Sequence, residues 1–313
     1  MRIVQGTGNI PSAARGAALA IGNFDGVHRG HQALIEATRA EAQRLGTQAG
    51  AVVFEPHPRE FFQPDKPHFR LTPLPLKLRL LGEFGLDVAV VLAFDASLAG
   101  LTAEDFIARV IVGQLAARQL VVGYDFRFGK GRGGDPEGLR RAGEGLGFGV
   151  TIIGQVAEAG EVFSSSAIRA DLAQGDVKGA AGMLGWWWRV AGVVRGGAKR
   201  GTGMGFPTAN IGLAPGTALA HGIYAVRVHR EGHAYQGAAY LGTRPTFDDG
   251  APVLEVFLFD FSGDLYGREI EVEFIDFIRP DRRFDGAAAL QVQMELDCAQ
   301  AREVLAAAPI SPS

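Results

Sequence analysis

The feature that most constrains this chain is a change in the period of its hydrophobic pattern close to Gly185. Before it, short apolar runs at residues 19–21, 49–54, 88–94, 120–122 and 149–153 alternate with helix-like stretches at 31–45, 76–84, 103–115 and 137–146, and a last helical stretch covers 166–184. Alternation of strand and helix predicts a doubly wound parallel α/β sheet, in which ligands bind beyond the carboxyl ends of the strands. After it, strand-like runs at 190–194, 223–228, 236–241, 253–259 and 269–277 are separated only by turn residues, the spacing of a small antiparallel β-barrel. Residues 285–305 then read as one amphipathic helix, with Leu290, Met294, Leu296, Ala301 and Leu305 placed to cap the barrel. A chain of 313 residues exceeds one ordinary core, and the expected domains are 1–185 and 186–313. Trp186, Trp187 and Trp188 at the junction read as packing between them rather than as a stacking platform.

Composition narrows the function. With 31 Lys and Arg against 34 Asp and Glu, the net charge of −3 offers no global basic field to nucleic acid or anionic lipid, so an anionic ligand needs a local site. The single cysteine, Cys298, excludes an internal disulfide and a cysteine-clustered zinc site. No apolar run approaches the ~18 residues that span a bilayer, and no leader-like apolar core separates Arg2 from Arg15, so the chain reads as cytoplasmic with no membrane partner. The pattern sets no oligomeric state, and a homo-oligomer is compatible with it.

The first strand is followed by Gly22-Asn23-Phe24-Asp25-Gly26-Val27-His28-Arg29-Gly30-His31 and then a helix. A glycine-bearing turn entering a helix presents backbone N–H groups and a positive dipole end to a phosphate. His28 and His31, three apart, share a helix face, and their imidazoles can donate to phosphate oxygens in a transition state. Gly30 between them lets the main chain come close to the phosphate. Ser164-Ser165-Ser166-Ala167-Ile168-Arg169, also ahead of a helix, is either an N-cap with a surface arginine or a clasp for a triphosphate. Glycines 129, 131, 133 and 134 belong either to a phosphate-binding loop or to a mobile one, and they lack the Lys-Ser or Lys-Thr pair of a P-loop.

The His28-Arg29-Gly30-His31 turn and the serine segment ending in Arg169 resemble the HxGH nucleotidyltransferases, and the string from Gly22 to His31 resembles bacterial FAD synthetases in particular. Phe54-Glu55-Pro56-His57-Pro58 and Gly123-Tyr124-Asp125-Phe126-Arg127-Phe128-Gly129 match that family in kind and order. The resemblance implies catalytic roles for His28 and His31. It implies ATP and phosphate contacts from Gly22, Asn23, Phe24, Asp25, Gly30, Ser164, Ser165, Ser166 and Arg169, and flavin contacts from Phe54, Pro56, His57, Pro58, Asp125, Phe126 and Phe128.

In the second half, Gly201-Thr202-Gly203-Met204-Gly205-Phe206-Pro207-Thr208-Ala209-Asn210 combines glycines able to approach a phosphate with Thr208 and Asn210, neutral oxygens of the kind Mg²⁺ accepts. Glu255 lies in an otherwise apolar strand, where a carboxylate either faces water at an edge or serves a function. These segments resemble riboflavin kinase, together with Gly242-Thr243-Arg244-Pro245-Thr246-Phe247, Asp264-Leu265-Tyr266-Gly267, Arg279 and Phe284. The resemblance implies Glu255 as catalytic base, Gly201, Gly203, Gly205, Pro207, Thr208 and Asn210 at ATP and Mg²⁺, and Arg279 and Phe284 at the flavin. Two positions depart from that family: Thr202, where an arginine is usual, and Phe257, where many members have histidine; Lys199 and Arg200 are nearby substitutes for the charge.

The expected activity is therefore ATP-dependent phosphorylation of riboflavin to FMN and adenylylation of FMN to FAD, with Mg²⁺ as cofactor, ATP as co-substrate and no nucleic-acid partner. The alternative, motivated by Thr202, is an FMN adenylyltransferase whose C-terminal domain is a weak kinase or a flavin-sensing or assembly module.

Overall fold

The computed structural model describes residues 1–6, 10–11, 14–158, 161–195, 208–243 and 252–310. Contacts divide the chain into two compact units, Met1–Ser165 and Ser166–Ser313. In the first, β1 (Arg2–Gln5), β2 (Ala18–Ile21), β3 (Ala49–Glu55), β4 (Val88–Ala93), β5 (Gln119–Gly123) and β6 (Gly149–Ile153) form a parallel sheet in the order β1-β4-β3-β2-β5-β6. The residues of β2 are at most 1% exposed, as befits a strand covered on both faces. The helix α1 (Arg29–Leu45) packs on β2, β3 and β5 through Leu34, Ile35, Thr38 and Ala42, and ends at Gly46 in the left-handed conformation. Two shorter helices follow, α2 (Pro58–Phe62) after β3 and α3 (Leu74–Glu83) against β4.

The chain steps outward from β2 to β3 to β4 and then crosses back to place β5 on the other side of β2. Strand order reverses there, so the loops leaving β2 and β5 diverge and open a crevice at their carboxyl ends. The segments 22–28 and 123–128 are those loops, and 55–58 leaves the neighbouring β3. A small hairpin, β7 (Ala157–Glu158) with β8 (Glu161–Val162), precedes the serine segment.

In the second unit, β9 (Arg189–Val193), β10 (Thr208–Gly212), β11 (Gly222–Arg230), β12 (His233–Thr243), β13 (Pro252–Leu258) and β14 (Glu269–Pro280) pair antiparallel in the order β10-β13-β12-β11-β14-β9. The Arg195 N–H donates to Asn210 O at 2.9 Å and nearly closes the barrel between its two edge strands. Gly192 permits this approach, since a Cβ there would stand 2.2 Å from Ile211 Cγ2. The barrel interior is filled by alternate residues such as Tyr224, Val226, Val228, Leu254, Val256, Val272 and Phe274. Outside it, the small Ala225 and Ala238 leave room for the C-terminal helix (Ala287–Ala307) to dock through Ala301 and Leu305.

Two expectations change. The stretch 166–184 is two helices, Ser165–Gln174 and Val177–Leu184, broken at Gly175, whose φ is 86°. Leu296 does not cap the barrel: it is 59% exposed, and Asp297 occupies the buried stripe instead. The three tryptophans are buried, with Trp188 stacked on Phe274 and Trp187 donating from Nε1 to Pro309 O at 3.3 Å.

Because the barrel edges meet at Gly192, Gly192→Val forces β9 away from Ile211 and destabilises the second unit by about 1–3 kcal/mol, the usual cost of overpacking. Urea unfolding followed by tryptophan fluorescence reads this unit alone, since every tryptophan lies in it.

Candidate active sites

At the crevice over β2, His28 is the N-cap of α1, and its Nδ1 accepts the His31 N–H at 3.3 Å. That bond fixes the tautomer: a neutral His28 carries its proton on Nε2. The two rings stack with centroids 3.7 Å apart. Gly30 has a steric reason beyond the approach of a phosphate, because a Cβ would lie 3.0 Å from His28 Cε1. Burial pushes His28 down to about 4, and burial, then His28, then Lys77 hold His31 well below the usual imidazole range. Both imidazoles are therefore neutral at physiological pH and act as single N–H donors. His31 Nδ1 is buried without a hydrogen-bond partner among the described residues.

The loop after β3 places His57 as N-cap of α2, its Nδ1 accepting the Arg59 N–H at 3.1 Å. Burial, then His68 and Lys77, push His57 down to about 3. Arg70 ties this loop down, bonding Glu55 at 2.8 and 3.0 Å and also Glu60. Pro56 is exposed and Pro58 half-buried. Phe54, Phe61 and Phe62 gather around Phe94 with edge-on ring contacts at 5.4 to 5.9 Å, leaving Phe62 64% exposed.

After β5, Asp125 is exposed and Phe126 half-buried. Phe128 is 8% exposed and packs into the core beneath Phe126 and beside Phe106. Gly134 lies under the Phe128 ring, and Gly129 against Ala103, so these glycines serve close packing. Gly22 is half-buried, Asn23 exposed, and Phe24 fully buried. Asp25 is 3% exposed and accepts from Thr72, so its carboxylate is turned into the protein. Ser164 is half-buried; Ser165 Oγ donates to Asp25 O at 2.8 Å, tying the serine segment to the histidine turn. Ser166 and Arg169 belong to the second unit.

Around the barrel, Asn210 on β10 pairs with Glu255 on β13, and Glu255 with Tyr240 on β12. Direct cross-strand partners share a face. Leu254, Val256 and Leu258 fill the interior, so Glu255 faces outward with Thr208, Asn210 and Phe257. Thr208 begins β10, a strand hidden in the sequence within a glycine-rich motif. The Asn210 amide nitrogen donates to Thr208 O at 3.4 Å, which assigns its Oδ1 to the other side of the carboxamide. A cavity of about 110 Å³ opens beside Thr208, walled by Leu258, Phe261, Asp264, Leu265 and Tyr266.

Arg279 makes a bidentate pair with Asp297 at 2.8 and 2.7 Å, and Gln293 donates to the same carboxylate at 2.7 Å. The segment after β14 is thus fastened to the C-terminal helix, with Phe284 lying under Arg279 and Arg282. Tyr240 O–H donates to Asp281 Oδ2 at 3.0 Å. Gly201, Gly203, Gly205, Pro207, Thr202, Lys199 and Arg200, and Arg244 to Phe247 of the second motif, lie outside the described residues. Thr72, Lys77, Arg70, Tyr240 and Asp297 support the candidate residues from behind and were not singled out by the sequence, since each acts through partners distant in the chain.

A parallel sheet with an HxGH turn at its strand reversal, followed by a barrel with a carboxylate opposite Asn210, defines a nucleotide-using transferase with two separate sites. A sequence model of FAD synthetase matches residues 10–167, and one of riboflavin kinase matches residues 184–305. The bifunctional riboflavin kinase/FMN adenylyltransferase of Escherichia coli K12 is 41% identical over 305 residues, covering 97% of each chain. That of Pseudomonas fluorescens is 40% identical over 307 residues, covering 98% of each. A Streptococcus pneumoniae protein, solved under the description macrolide-efflux protein, superimposes with a TM-score of 0.83 at 27% identity, covering 95% of this chain and 97% of that one. Among the described residues of this chain, no helix is long and apolar enough to cross a membrane. The chain belongs to the family of bifunctional riboflavin kinases/FMN adenylyltransferases. It phosphorylates riboflavin to FMN and adenylylates FMN to FAD, using ATP for both.

The depressed histidines carry a pH consequence. In the unfolded chain His28 takes up its proton near 6.5, in the folded chain only near 4. The unfolded state therefore binds more protons in that window, and the contribution to stability, complete above 6.5, is lost as pH falls toward 4. Urea titrations followed by circular dichroism across that interval should show the loss, and it should shrink in His28→Gln.

Proposed function

We propose that the two reactions use separate residue sets divided at residue 185, with Ser164, Ser165, Ser166 and Arg169 assigned to adenylyl transfer by their motif. In that step an FMN phosphate oxygen attacks the α-phosphorus of ATP in line, the bond to the bridging oxygen breaks, and pyrophosphate leaves with the electron pair. The nucleophile is already anionic, so alignment of two repelling anions is the main task. His28 Nε2–H, the His31 imidazole and the N-terminus of α1 supply donors to the phosphate oxygens. The partly exposed aromatic group around Phe94 supplies an apolar wall for the flavin ring.

In the kinase step the Glu255 carboxylate takes the proton of the ribityl terminal hydroxyl as its oxygen attacks the γ-phosphorus and ADP leaves. The observation that supports this reading is the direct pairing of Glu255 with Asn210, two polar side chains on one face of the barrel. Mg²⁺ fits there. Among the described residues no group of three or more His, Cys, Asp or Glu could hold a metal, whereas Mg²⁺ beside ATP needs only one or two protein oxygens and completes its shell with phosphates and water. Thr208 and Asn210 would hold it, and when bound it supplies charge neutralisation at the phosphates. The supply of ATP and riboflavin supports action in the cytoplasm.

An HPLC time course with riboflavin, excess ATP and Mg²⁺ tests both steps. FMN should appear first and FAD after it. Glu255→Ala should lose FMN formation by ~10²–10⁴-fold, the usual worth of a general base, while still converting supplied FMN to FAD. His28→Ala should show the reverse pattern, and a variant of either kind at the parent rate removes that residue from its role.

A further inference from the structure

The turn over β2 is held in a conformation that its own residues disfavour. Phe24 and Val27 have φ of 49° and 41°, and Gly26 has 91°. Positive φ at a β-branched residue is an outlier that persists only where the surroundings over-determine it. Here the surroundings converge on Thr72, a fully buried residue in the approach to α3. Thr72 Oγ1 accepts the Gly26 N–H at 2.9 Å, and the Thr72 N–H donates to Asp25 Oδ1 at 3.1 Å. The hydroxyl also lies 3.4 Å from Phe24 O and from Asp25 Oδ1, and its one proton can serve either. Ser165 holds the opposite side of the same turn through Asp25 O. One side chain thus contacts three successive residues of the turn that leads, through Val27, into His28.

We infer that Thr72 is a positioning residue for adenylyl transfer: its hydroxyl and N–H hold the strained 24–27 turn so that His28 meets the start of α1 in the reactive arrangement. The inference rests on the assignment of this turn to FAD formation. Without the hydroxyl, the buried Gly26 N–H loses its acceptor and the strained residues relax toward commoner conformations. His28 then shifts, while groups that hold the flavin and the adenine elsewhere stay in place. The loss therefore falls on the turnover rate rather than on substrate affinity.

The test compares parent, Thr72→Val, Thr72→Ser and Thr72→Cys as full-length proteins, measuring kcat and KM for FMN to FAD and, in the same samples, riboflavin to FMN. Thr72→Val should lower the adenylylation kcat by about 10- to 100-fold, as expected for a lost buried acceptor and a misaligned site. KM for FMN should stay within about threefold, because the aromatic wall proposed for the flavin stands on other loops. Thr72→Ser, which keeps the hydroxyl, should recover most of the lost rate, and FMN formation should match the parent throughout. Parental kcat in Thr72→Val, a rise in KM alone, or equal impairment of Thr72→Ser would overturn the inference. If Thr72→Val does not fold, Thr72→Cys carries the test: the thiol is a poor acceptor, and a rate equal to that of Thr72→Ser would refute the role of the hydroxyl. A His28→Ala protein that keeps the parental rate of FAD formation would instead refute the assignment of the turn.

Discussion

The histidine turn depends on one constraint, the reversal of strand order at β2. Strands β3 and β5 flank β2 on either side, and every residue of β2 is buried, so its end is among the most firmly fixed points of the first unit. A turn leaving such a strand can be strained, because it cannot relax by moving its anchor. The other end of the turn is fixed as well, by α1 starting at Arg29 on the same strands. Between two fixed ends, the path 22–28 is short enough to need positive φ at three residues, and the side chains of Thr72 and Ser165 meet the polar groups that this path exposes. The stacked histidines are then a product of the backbone: Gly30 lets one ring fold over the next turn, and enclosure keeps both neutral.

The barrel applies a different constraint, alternation. Once Leu254, Val256 and Leu258 are committed to the interior, Glu255 must face outward, and pairing with β10 brings Asn210 beside it without any dedicated turn. The same logic explains Phe257, which shares that outer face and packs with Phe259 under the C-terminal helix.

Much of this was legible in the sequence. Continuous apolar runs located β2 to β6 within a residue or two, and the histidine turn announced itself by glycines and spacing. What escaped has physical reasons. The strand β1, Arg-Ile-Val-Gln, is a four-residue edge with only Val4 buried, too brief for a period to show. The strand β10 was masked by the glycines and proline that precede it. The stretch 103–115 is helical, as its pattern predicts, but its continuation in π-type hydrogen bonding from Phe106 to Leu115 leaves no compositional mark. Leu296 was preferred to Asp297 as a core position because hydrophobicity was the only criterion available; the buried carboxylate is tolerable only because Arg279 and Gln293 pair with it. Thr72 and Lys77 were invisible for a simpler reason: their roles consist of contacts with residues about fifty positions earlier.

Those contacts also fix the charge around the histidine turn. Lys77, 2% exposed, faces the carboxylates of Asp25 and Glu55, and Arg70 joins Glu55 to Glu60. Three carboxylates thus enclose two cations in a chain that runs from the β2 turn to the β3 turn. Burial lowers the lysine's affinity for its proton and the neighbouring carboxylates restore part of it, so the ammonium is spent on the scaffold. With the histidines neutral and the Lys77 and Arg70 scaffold carrying no positive excess, the positive field at the start of α1 comes from its amides and dipole and from Arg29, its first residue. Arg29 is the one cation that the segment from Gly22 to His31 itself supplies. What the rest of that segment adds is a fixed arrangement of backbone and ring N–H donors, set by positive φ at Phe24, Gly26 and Val27 and by the stacking of the two histidines.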